Sequence, residues 1–146
     1  SGHNHDDNLS IDLVINNEAI ITDPGSFCYT DDLKLRYLYR GYNAHFVPRA
    51  SGMLNQKVIK NPFYFFESYN GKCEYINRNT FLGSLKMQDI IIYRYLEIKN
   101  EGLLIKDFCV NDRLINYSSL DHNLKISSSY GVLSKINMIN KNKLRF

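Results

Sequence analysis

The sequence predicts an all-β chain, an antiparallel β-sandwich, on three observations. Short runs of alternating apolar and polar residues recur along most of its length. Turn-forming residues separate them, and no stretch sustains the 3.6-residue period of a long helix. Residues 9–16 begin as an alternating strand, Asn16-Asn17-Glu18 turns the chain, and Ala19 to Thr22 returns. The stretch 9–23 therefore reads as a hairpin ending on Asp23, and Pro24-Gly25 breaks the chain after it. Residues 31–43, rich in Tyr, Arg and Leu, suit a short helix or an irregular loop, and periodicity does not decide between them. Strand candidates follow at 56–60, 63–69, 73–77, 80–86, 89–98, 102–110 and 123–138, the last long enough for two strands. The turns expected between them are Asn70-Gly71, Asn100-Glu101-Gly102 and Asn111-Asp112. Asp89 to Lys99 reads as a central strand.

Composition narrows the function. The chain of 146 residues suffices for one domain over residues 1–146 with a hydrophobic core. Its 11 Tyr and 8 Phe, with no Trp, suit sheet packing first and sugar-facing surfaces second. A net charge of +3 without a basic patch gives no footprint for nucleic acid, though an acidic polymer is compatible with it. Three cysteines without CxxC spacing define neither a disulfide framework nor a thiolate metal site, so buried free thiols are expected. No apolar run reaches the roughly 20 residues that span a membrane, and no signal peptide is visible. The chain opens without Met inside its richest motif and reads as a piece of a longer protein.

That motif is Gly2-His3-Asn4-His5-Asp6-Asp7. Residues two apart on an extended chain share a face, so His3 and His5 can serve one pocket. His5, Asp23 and His45 offer imidazole nitrogen and carboxylate oxygen from three separate segments, the donor set of a divalent metal site. His3, Asp6 and Asp7 are alternative ligands or partners that orient the imidazoles. The bland alternative is a solvated terminus. Arg36 and Arg40 suit a bidentate grip on sugar carboxylates, or equally surface ion pairs with Asp31 or Asp32.

The segments Gly2 to Ile11, Ile20-Ile21-Thr22-Asp23-Pro24-Gly25-Ser26-Phe27-Cys28-Tyr29, Arg36 to Arg40 and Asn43-Ala44-His45 resemble the heparinase II/III-like family, polysaccharide lyases related to heparinase II and some alginate lyases. Gly52 to Gln56 resembles the block that follows, and beyond it the likeness is only β-richness. The resemblance implies a zinc ion of structural role on His5, Asp23 and His45, and a catalytic His3 facing the substrate. It further implies β-elimination on a uronic-acid polymer: carboxylate neutralised, C5 proton removed, O4 protonated on leaving, with His3 stabilising the developing charge. The partners implied are an anionic polysaccharide and an N-terminal α/α-toroid domain, outside this chain, that holds the remaining catalytic groups. The compartment implied is periplasmic or extracellular. Two departures stand out. Phe46 replaces the family's Asn after Ala-His, and Asp7-Asn8 stands where small residues are common. A non-catalytic carbohydrate-binding or structural module is the first alternative, and a metal-dependent glycan hydrolase the second.

Overall fold

The computed structural model describes residues 5–55, 69–100, 102–115 and 125–134. They form antiparallel β-structure with one α-helix, the all-β sandwich class predicted. The described residues cluster into two compact units, one holding residues 5–47 and 125–134, the other 48–55 and 69–115.

In the first unit, β1 (Leu13–Ile15) pairs with β2 (Glu18–Ile21) through a turn at Asn16 and Asn17. Both turn residues have positive φ, 51° and 62°, the backbone of a type I′ hairpin turn that Asn tolerates. The first strand is shorter than expected. Leu9 has φ 63° and the Ser10 N–H bonds back to the Asp7 carbonyl, so residues 9–12 turn instead of pairing. Ile20 and Ile21 are buried, each burial stabilising by about 1.5–3 kcal/mol.

The segment left open between helix and loop is helix α1 (Leu33–Arg40). Asp32 caps it, its carboxylate accepting from the Leu35 N–H at 3.0 Å, a cap worth about 1 kcal/mol. Helical spacing then puts Arg36, Tyr39 and Arg40 on one buried face. Tyr39 packs against Ala44 and Phe27, and its hydroxyl donates to the Lys125 carbonyl at 2.8 Å. The expected strand 123–138 appears, within the described residues, as β7 (Ile126–Ser129) and β8 (Val132–Ser134), turned at Gly131 with φ 72°.

The second unit is a four-stranded meander of β3 (Asn70–Ile76), β4 (Thr80–Met87), β5 (Ile90–Lys99) and β6 (Gly102–Val110). β5 lies between β4 and β6, the central place its apolar run predicts. Asn70-Gly71 is not the turn expected: both residues pair in the ladder, with Lys86 and Leu85. Hydrogen bonding along the whole of β4 outweighs the local turn preference of the pair. The turn of the β3–β4 hairpin instead follows Asn77, whose side-chain oxygen accepts from the Asn79 and Thr80 N–H groups. The expected strands at 56–60 and 63–69 lie outside the described residues apart from Tyr69.

Alternation assigns the sheet's two faces. One carries Met87, Ile92 and the partly buried Cys109 into a core with Ala50 and Met53. It also buries Arg94, which grips Asp107 opposite through two bonds of 2.8 and 2.9 Å. Gly83 lies across from Arg94 on β4. The segment 49–51 pairs with 113–115 and closes this core.

Candidate functional site

The hairpin, the loop after it and helix α1 bring three of the predicted residues side by side. Past β2 the chain reaches Asp23, whose backbone N–H donates to the Asp12 carboxylate at 2.6 Å. One Asp23 oxygen accepts from the Gly25 N–H at 2.8 Å. The other meets Nδ1 of His45 at 2.5 Å. Gly25 has φ 73°, and a Cβ there would stand 2.4 Å from the Ser127 carbonyl oxygen. The loop therefore lies directly on β7, where the Ser127 N–H donates to the Pro24 carbonyl at 2.7 Å. Only glycine meets both demands.

His45 follows a short 3-10 turn over Tyr42–Ala44 and is buried. Its Nδ1 is hydrogen-bonded to Asp23, and its Nε2 is buried with no hydrogen-bond partner among the described residues. Such an orphan costs about 1–3 kcal/mol. The His5 ring sits 5.3 Å from the His45 ring, tilted by 47°. Its Nε2 lies 3.0 Å from both the Ser26 hydroxyl and an Arg36 guanidinium nitrogen. Arg is always a donor, so Nε2 accepts and the ring proton sits on Nδ1.

The electrostatics bias His5 and Asp23 each towards one protonation state. Burial, then the charges of His45 and Arg36, push His5 down to about 4, so its imidazole is neutral near pH 7. Burial alone would raise the Asp23 carboxyl, but the hydrogen bond and charge of His45, with the Gly25 N–H, bring it below the ordinary range. A neutral imidazole and an ionised carboxylate are the forms that bind a cation.

The remaining predicted residues fall as follows. His3 lies outside the described residues. Asp6 is buried and its N–H donates to the Arg40 carbonyl at 2.9 Å, while Asp7 is exposed. Arg36 and Arg40, expected at sugar carboxylates or in surface ion pairs, are interior residues at 0% and 3% exposure. The inner face of α1 carries both away from solvent. Arg36 instead supports the His5 ring and lies over the Tyr29 ring at 5.1 Å. Tyr29 stacks on Tyr130 at 5.7 Å, and the Tyr130 hydroxyl bonds to Asp31. Sequence reasoning missed Ser26 and Tyr130. Ser26 adjoins the Asp-Pro-Gly break and was within reach of inspection; nothing local marks Tyr130, which arrives from about a hundred positions away.

The heparinase II/III-like C-terminal family model matches residues 1–46. The chain is similar to that family over this segment. The whole His5–Asp23–His45 cluster and both arginines lie inside it. The heparinase II/III-like match ends at the buried Phe46, and the four-stranded meander lies beyond it. No curated protein and no solved structure matches the chain.

Two imidazoles and a carboxylate suit a divalent ion by donor chemistry, and the partnerless Nε2 of His45 is the atom such an ion would satisfy. As they stand, however, His45 is hydrogen-bonded to Asp23, and His5 to Ser26 and Arg36. Among the described residues no group of three or more His, Cys, Asp or Glu is arranged to hold an ion.

Proposed function

We propose that this chain is the β-rich C-terminal portion of a polysaccharide lyase that cleaves uronic-acid glycans by β-elimination, and that His5, Asp23 and His45 hold a zinc ion of structural role. One observation carries the reading. Three donors from separate segments lie side by side within the stretch that matches the family model. The ion would tie the N-terminal segment, the Asp-Pro-Gly loop and the turn before Phe46 to one another. Asp23 orients His45 by holding its Nδ1, and Ser26 and Arg36 orient His5. His3, two residues before His5, would face the polymer and stabilise charge developing on the uronate. The base that takes the C5 proton and the acid that serves O4 would come from an α/α-toroid domain elsewhere in the protein. Secretion to the periplasm or beyond fits a polymeric substrate.

Two measurements test this. Purified chain should carry about one equivalent of zinc, lost in His5→Ala, Asp23→Ala and His45→Ala; full metal content in His45→Ala refutes the site. The full-length protein should release unsaturated uronate from alginate or a glycosaminoglycan, read by ultraviolet absorbance. Phe46 favours a second reading. A buried ring at 4% exposure stands where the family carries a hydrogen-bonding Asn, which suits a module that binds glycan without cleaving it. Binding without unsaturated product decides for that module.

A further inference from the structure

The face of the four-stranded sheet opposite its core is not used by any of the chemistry above. Register places Tyr93 beside Phe108 and Ser84, Ile91 beside Lys86 and Val110, and Tyr95 beside Lys106, all on this face. Tyr93 and Phe108 stack at 4.9 Å and 15°, each ring covering one face of the other. Phe108 keeps 49% of its surface exposed and Val110 42%, although a sheet residue turned outward is usually polar. Beside the ring pair the face carries positive charge. Lys86 and Lys106 are exposed, and no ion-pair partner is found for either among the described residues. Lys72 pairs with Glu74, whose other oxygen accepts from Ser84, and Lys99 pairs with Glu97. Among the described residues of this face Glu74 and Glu97 are thus matched, while Lys86 and Lys106 are not.

We propose that this outer sheet face, centred on Tyr93 and Phe108 between Lys86 and Lys106, is a second binding surface for anionic oligosaccharide, separate from the His5–Asp23–His45 cluster. The choice of a uronate polymer as occupant rests on the lyase reading above; the surface itself rests on the sheet. The exposed surface of the Phe108 ring can accept the C–H face of a sugar, and lysines at either end answer its carboxylates. Lys86 and Lys106 are two strands and four residues apart, about 16 Å by sheet geometry. Several linked sugars, not one, span that distance. A second copy of this chain is a poorer occupant, because a two-fold contact through this face would bring lysines of like charge together. Nucleic acid is poorer too, with Glu74 and Glu97 on the same face.

The test uses the whole chain, with alginate-derived and heparin-derived oligosaccharides as probes and dextran as the neutral control, followed by calorimetry. Phe108→Ala should weaken binding of the anionic probes by about tenfold, as truncating a central aromatic anchor does. The double variant Lys86→Glu with Lys106→Glu should do the same and abolish the salt dependence. Both sites are exposed, so the metal content and melting curve should stay those of the parent chain, and dextran should not bind. Unchanged affinity in both variants overturns the proposal, as does equal binding of dextran. So does loss of self-association in Phe108→Ala with glycan binding intact, which would make the face a contact between copies. The unsaturated-uronate assay on the full-length protein separates the two readings. Product together with variant-insensitive binding overturns the sheet surface alone; neither product nor binding of any uronate polymer overturns both.

Discussion

Replacing Gly25 with alanine tests whether the Asp-Pro-Gly loop is held as described. The substitution meets two obstacles. At φ 73° any L side chain pays about 1–2 kcal/mol for the left-handed backbone. The new Cβ also stands 2.4 Å from the Ser127 carbonyl oxygen, a backbone atom that cannot swing aside. Relief requires the loop and β7 to separate, which breaks the 2.7 Å bond from the Ser127 N–H to the Pro24 carbonyl. A bond of this kind contributes about 0.5–1.5 kcal/mol net. The loss should therefore be about 1.5–3.5 kcal/mol. Gly131 supplies the control: its φ is 72°, but nothing lies within 4 Å of a Cβ there. Gly131→Ala should cost only the conformational part, about 1–2 kcal/mol. Denaturant titration of both variants, followed by far-ultraviolet circular dichroism, measures the difference. Because the Gly25 N–H also holds the Asp23 carboxylate, Gly25→Ala should lower metal content while Gly131→Ala should not. Equal losses of stability in the two variants, or none in Gly25→Ala, refute the close approach of loop and strand.

Three further outcomes are expected. The metal-free chain should lose stability as pH falls from 6.5 towards 4. The folded state holds His5 neutral down to about 4 while the unfolded chain takes up its proton near 6.5, so the stabilisation is complete above 6.5 and is lost below it. Solvent screening at a half-buried ring reduces the effect to the order of 1–2 kcal/mol, and a flat profile in chelator-treated protein would contradict it. Asp107→Ala should cost about 3–5 kcal/mol by removing the carboxylate that grips the buried Arg94 guanidinium, whereas Arg94→Met with Asp107→Leu should recover most of that; denaturation midpoints decide. Gln88→Gly should stabilise by about 1 kcal/mol, because Gln88 holds φ 54° in the two-residue turn between β4 and β5 and glycine adopts that backbone without strain. A lower melting temperature for Gln88→Gly would count against that turn.

Much of this molecule is legible in its letters, because the physics behind those parts is local. Alternation over 80–86 and 102–110, and the apolar start of 89–98, mark strands since a two-residue period is a property of the chain itself. The Asn16-Asn17 turn and the capping Asp32 follow from side chains bonding or tolerating their own backbone. The donor types at 5, 23 and 45 are readable for the same reason: coordination chemistry belongs to the residue. Tertiary structure decided what distance decides. Asn70-Gly71 became strand because β4 offers a ladder of partners that a local turn preference cannot match. Arg36 and Arg40 went inside because the α1 face that carries them is the buried one, a fact of packing that charge alone argues against. The partners of each imidazole, Asp23 for His45 and Ser26 with Arg36 for His5, are likewise set by where separate segments meet. A sequence states which groups can bond, but only the fold brings them within 3 Å, and burial then makes each such meeting either a bond or a cost.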